Sequence, residues 1–130
     1  MSRIPTGSLL AAALLFAAPA LADEQPDLTG SEWGYPGKDR PFIVFRSEMR
    51  LVGNGGCNNF FGNWQVHDGD QLELGPIGAT RMACSPEIMK QETEFLARLE
   101  AVTSYRIVED RIQLFSNGVP WTEMERRDRD

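Results

Sequence analysis

The stretch Gly53-Asn54-Gly55-Gly56-Cys57-Asn58-Asn59-Phe60-Phe61-Gly62-Asn63-Trp64 runs from a glycine-rich bend through a cysteine into a cluster of large rings. The glycines supply positive φ for a bend leading to Cys57. Asn58 and Asn59 can hydrogen-bond local backbone and fix that bend. Phe60 and Phe61 are adjacent, so on an extended backbone one points inward and the other outward. The bend lacks the lysine and hydroxyl residue of a phosphate cradle, and no helix signal follows it.

Cys57 and Cys84, the latter in Thr80-Arg81-Met82-Ala83-Cys84, are the chain's only two cysteines. Their compartment is read from the N-terminus. Residues 1–22 have the form of a cleaved signal peptide: Arg3, an apolar run from Leu9 to Ala18, and Ala20-Leu21-Ala22 before Asp23. A periplasmic or secreted product is expected. In that oxidising setting the two cysteines are expected to pair, closing a loop of 28 residues and stabilising the fold by about 3.5 kcal/mol. Two other uses stay open. One cysteine could be a thiolate nucleophile with His67, the only histidine, as its base. That relay needs an orienting carboxylate from Asp68 or Asp70, and adjacent strand residues face opposite sides. A metal held by both cysteines and His67 lacks the close Cys-x-x-Cys spacing of stable sites. No metal and no cofactor is expected.

The apolar run is too short for the roughly 20 residues that span a bilayer. No cysteine follows it to carry a lipid anchor, so neither a membrane span nor an anchor is expected. The remaining 23–130 are read as a single domain, of a size for one core, and as a monomer. Without Arg3 the chain carries 12 basic against 19 acidic side chains, a net charge of −7. Repulsion then disfavours nucleic acid and anionic lipid as partners.

Most of the sequence follows the strand period. Phe42-Ile43-Val44-Phe45 and Met49-Arg50-Leu51-Val52 are β-branched or aromatic-rich runs, and Trp64, Val66, Leu72 and Leu74 alternate within two more. Asp68-Gly69-Asp70, Glu109-Asp110 and Asn117-Gly118 predict hairpin turns. Asp68-Gly69-Asp70 also resembles the start of a calcium loop, but the later ligands are missing. One segment departs from this pattern. Ser85 caps a helix with Pro86 at its first position and Glu87 in its first turn, predicting a helix from 86 to about 102. Ile88, Met89, Phe95, Leu96, Leu99 and Val102 form its apolar stripe, and Lys90, Glu94 and Arg98 lie on the other side. The reading is a β-dominated α+β fold: a small antiparallel sheet with one amphipathic helix that plugs or flanks it.

The segments Gly55 to Trp64 and Thr80 to Cys84 resemble those of the META domain, the HslJ-like family. The likeness continues through Glu94-Phe95-Leu96, Leu99-x-x-Val102-x-x-Tyr105 and the strand at Leu114, over about residues 28–125. It implies a sheet curved toward a lipocalin-like partial barrel with one helix, in bacterial envelope proteins, and no established catalytic activity. It also implies associations with heat-shock induction, novobiocin resistance and, in trypanosomatid relatives, motility.

Trp33, Tyr35, Phe60, Phe61, Trp64 and Trp121 are many rings for one small core. The leading expectation is a non-enzymatic envelope module, linked to heat or antibiotic stress, that contacts another protein. Its candidate contacts are Phe60, Phe61, Trp33, Asn58 and Asn59. The alternative is a lipocalin-like carrier of a small hydrophobic ligand. A thiol-dependent enzyme comes third.

Overall fold

The computed structural model describes residues 26–38 and 40–128, so the signal peptide expected over 1–22 lies outside the described residues. Nine strands form one sheet. They are β1 (Glu32–Gly34), β2 (Phe42–Arg46), β3 (Arg50–Asn54), β4 (Asn59–His67), β5 (Gln71–Leu74), β6 (Gly78–Ala79), β7 (Ser104–Val108), β8 (Arg111–Ser116) and β9 (Val119–Arg126), with helix α1 (Pro86–Glu100) between β6 and β7.

Consecutive strands pair antiparallel from β1 to β5 and again from β7 to β9. Two long-range contacts bend the sheet into a ring. β9 returns to β1 through Trp33↔Arg126 and Gly34↔Glu125, while β5 meets β7 through Gln71↔Ser104 alone. That narrow seam, supported by Leu72 N–H to Thr103 O and Tyr105 N–H to Asp70 O, keeps the ring from being a regular barrel. β6 lies on the β5 side of β4, beyond the cis Gly75–Pro76 peptide.

The turns follow their sequence signals. Asp68 and Gly69 both have positive φ, as do Asn117 and Gly118, and Glu109 does so between the paired Val108 and Arg111. Ser85 caps α1 by accepting from Ile88 N–H, with Pro86 in the first turn. The helix ends at Glu100, two residues before the predicted limit.

The ring is filled rather than hollow. Trp33, Ile43, Phe45, Leu51, Phe60, Leu72, Leu99, Ile112, Leu114 and Met124 are all buried. From α1, Phe95 enters among Tyr35, Phe60 and Trp121, with ring centroids 5.7–6.5 Å apart. The helix therefore covers the ring with its Phe95 and Leu99 face. The stripe holds one residue that the apolar reading passed over, the buried Glu92.

Candidate functional site

The two cysteine segments meet at the N-terminal half of α1. Cys57 and Cys84 form a disulfide, with Cα atoms 6.1 Å apart. Both of the chain's cysteines are thereby used, so the relay with His67 has no thiolate. His67 itself is half-exposed and lies 3.3 Å from the Glu73 carboxylate on the neighbouring strand.

Around the bridge, polar side chains replace backbone pairing. Asn58 follows the bend and is buried. Its Oδ1 accepts from Met82 N–H at 2.5 Å and Thr80 Oγ1 at 2.8 Å. Its Nδ2 donates to Met82 O at 3.1 Å and Glu92 Oε1 at 2.7 Å. An antiparallel ladder residue exchanges both backbone bonds with its partner, and the Asn58 carboxamide does this with Met82. It thus extends the β4–β6 ladder past Thr80, whose N–H reaches Asn59 O. Every donor and acceptor of the carboxamide is engaged.

Glu92 closes the cluster from the helix. Oε2 accepts from Cys57 N–H at 2.9 Å and Asn58 N–H at 2.5 Å, and Oε1 from Asn58 Nδ2. The carboxylate thus satisfies the orphan donors of the bend, and no ion pair supports it among the described residues. Burial, the largest influence, pushes its pKa up. The hydrogen bonds from the Asn58 side chain and from the Asn58 and Cys57 backbone together outweigh it and hold the carboxyl below its ordinary 4.5. A carboxyl that ionises more readily in the fold adds stability that is full above its unfolded pKa. That stability is lost as pH falls below 4.5 through the lower folded value. Asp27 and Asp128 are lowered too, so the test is a difference. In urea unfolding at a series of pH values, the wild type loses more stability on acidification than Glu92→Gln; parallel profiles would contradict this role.

The glycines of the bend serve two needs. Gly56 has φ +119°, whereas Gly55 makes room: a Cβ there would lie 2.7 Å from Glu92 Cγ. The local bonds expected of Asn58 are made by Asn54, which accepts from Gly56 N–H at 2.7 Å and donates to Asn59 Oδ1 at 3.0 Å.

The candidate contact residues separate by burial. Trp33 is buried, its Nε1–H donating to Ser31 Oγ, and Phe60 is buried against Phe95. Both are core residues, and Asn58 is committed to the cluster, so these three are corrected from contacts to structural parts. Asn59 is exposed. Phe61 is 52% exposed, with its ring over Gly78, where a Cβ would lie 2.8 Å from Cε2. Met82 is exposed as well. Sequence reading missed Glu92 and Met82. The signal for Glu92 was a carboxylate placed between Ile88 and Phe95 on the apolar stripe.

A second feature is an open cleft of about 670 Å³ between α1 and the ends of β1 and β9, floored by Tyr35, Phe95 and Trp121. Arg40 and Arg98 stack over Tyr35 and Trp121 at 5.2 and 5.7 Å. Among the described residues no helix is long and apolar enough to cross a membrane, and no group of three or more His, Cys, Asp or Glu side chains is placed to hold a metal ion.

The sequence model of the META domain matches residues 25–128. A Burkholderia xenovorans protein solved by NMR is similar, with a TM-score of 0.67 and 21% identity over 78% of this chain and 85% of that one. A second NMR structure has a TM-score of 0.58 and 19% identity over 75% and 91% of the two chains. The crystal structure of a DUF4847 family protein from Bacteroides vulgatus has a TM-score of 0.53 and 17% identity over 69% and 61%. At these identities the likenesses show the fold alone. No curated protein matches the sequence.

Proposed function

The chain belongs to the META domain family, and we propose that it works as a non-enzymatic interaction module of the bacterial envelope, periplasmic or secreted. It contacts another protein under heat or antibiotic stress. The observation that carries this reading is Phe61, a large ring left 52% exposed on a strand whose surroundings are stapled and hydrogen-bonded in place. A rigid frame that presents an apolar ring offers a contact at small ordering cost. Asn59 is exposed two residues before it on the same strand. The disulfide suits an oxidising compartment.

Phe61→Ala tests the contact. Because the ring is half outside the core, the variant keeps its thermal stability to within about 1 kcal/mol. Used as bait in periplasmic extract, it loses the partner that wild-type protein retains. Retention of the same proteins by both would contradict the reading.

The aromatic cleft favours a second reading, a carrier of a small hydrophobic ligand. With the ring interior filled, such a ligand sits on Tyr35, Phe95 and Trp121 from outside. Native mass spectrometry of freshly purified protein would show the added mass, and a bare polypeptide mass would count against a carrier.

A further inference from the structure

The run from β6 to Cys84 has one edge with unused backbone groups between Ile77, whose N–H donates to Glu100 of α1, and Cys84, whose N–H reaches Met89 Sδ. Thr80 N–H bonds to Asn59 O, and Met82 exchanges both of its backbone bonds with the Asn58 carboxamide. In an antiparallel ladder the N–H and C=O of one residue face one neighbour and those of the next residue face the other way. The backbone groups of Ala79, Arg81 and Ala83 therefore point away from β4, and among the described residues they have no hydrogen-bond partner. Residues 80–84 are exposed. Asn58 on one side and the Cys84 bridge at the end hold this edge in place, which lowers the ordering cost of pairing with it.

We propose that the edge from Ala79 to Ala83 receives an extended strand of another protein by β-augmentation, and that this strand is acidic and apolar in alternation. This names the partner chemistry of the interaction-module reading and rests on it. Main-chain hydrogen bonds to the outward groups supply the attachment. Arg81 is exposed and makes no ion pair among the described residues, so it selects a carboxylate opposite it. Phe61, with its ring over Gly78 of β6, and Met82 offer apolar side chains beside the added strand. A second copy of this chain is a poorer occupant. The antiparallel self-register that uses all three outward residues sets Arg81 opposite Arg81, and like charges directly opposite destabilise a strand pair.

The test titrates the peptide acetyl-Thr-Val-Glu-Val-Thr-amide into oxidised, ¹⁵N-labelled protein, up to millimolar concentration. The amide resonances of Ala79, Arg81 and Ala83 shift progressively and their hydrogen exchange slows. Changing the peptide's Glu to Lys weakens binding about two- to five-fold, and N-methylating its alternate amides abolishes it. Arg81→Pro removes an outward donor and with it the binding. Arg81→Glu keeps the backbone and reverses the Glu-over-Lys preference, a result that does not depend on the proline variant folding. Shifts confined to other parts of the molecule, or equal binding by the N-methylated peptide, overturn the proposal. If peptide binding survives Arg81→Pro while Phe61→Ala still loses its partner from extract, the edge fails and the module reading stands. If the peptide docks as described but Phe61→Ala keeps every partner, the edge stands and the module reading fails.

Discussion

Glu92→Ala lowers the stability of the fold by about 3–5 kcal/mol, the loss expected when three donors aimed at one buried carboxylate are left unpaired. The reason is the number of donors that depend on one carboxylate. Cys57 N–H, Asn58 N–H and Asn58 Nδ2 all point at it. Glu92→Gln separates geometry from charge. Glutamine keeps one oxygen for the two backbone donors but sets an amide N–H₂ against Asn58 Nδ2. Asn58 can relieve this clash only by flipping, and a flip breaks its paired bonds to Met82. The glutamine variant is therefore destabilised by about 1–3 kcal/mol. Urea unfolding of the oxidised proteins measures both, and a loss under about 1 kcal/mol for Glu92→Ala, the size of an ordinary surface change, would contradict the assignment.

Removing the bridge with the double substitution Cys57→Ala, Cys84→Ala costs about 3.5 kcal/mol by loop entropy and lowers Tm on the order of 15 °C. A domain of this size has only about 5–15 kcal/mol of stability in all, so the variant is marginal at growth temperature. The two effects are coupled. Without the bridge, the segment 80–84 is held to Asn58 by hydrogen bonds alone, so combining the double substitution with Glu92→Ala costs less than the sum of the separate losses. Full additivity would mean that the staple and the carboxylate support different parts of the fold.

Much of the architecture was legible because local signals agree with it. Ser85 and Pro86 start the helix where the sequence places it, and the turns at Asp68-Gly69 and Asn117-Gly118 take left-handed backbone as their residues require. The strands β1 and β6, of three and two residues, are too short to show a period. The closure of β9 on β1 joins residues far apart in sequence and leaves no local trace. The alternation of Phe60 and Phe61 was legible, but its sense was not. Register decides it: Gly53 lies opposite Phe60 and Val52 opposite Phe61, and the missing side chain at Gly53 leaves space for the inward ring, whose Cζ would lie 2.5 Å from a Cβ there.

The cysteine pairing was predicted from the compartment and the two settings, and the disulfide is present. The hydrogen-bonded cluster around it was not legible, because Asn58 and Glu92 are 34 residues apart and each carries an ordinary local alternative. Asparagine next to a glycine bend reads as a turn residue, and a glutamate within a helix reads as surface. Only the interruption of the apolar stripe pointed inward. The contact residues divide along the same line, since which ring fills the core depends on register.

Asn58, Glu92 and the disulfide lock one side of the 80–84 segment to the fold and leave the outward groups of Ala79, Arg81 and Ala83 without partners among the described residues. Native-state amide hydrogen exchange tests this most directly. The Cys57, Asn58 and Met82 amides are expected to exchange as slowly as those of the core strands, while the Ala79, Arg81 and Ala83 amides exchange rapidly. Equal exchange across residues 79–83, or rapid exchange at Cys57 and Asn58, would contradict it.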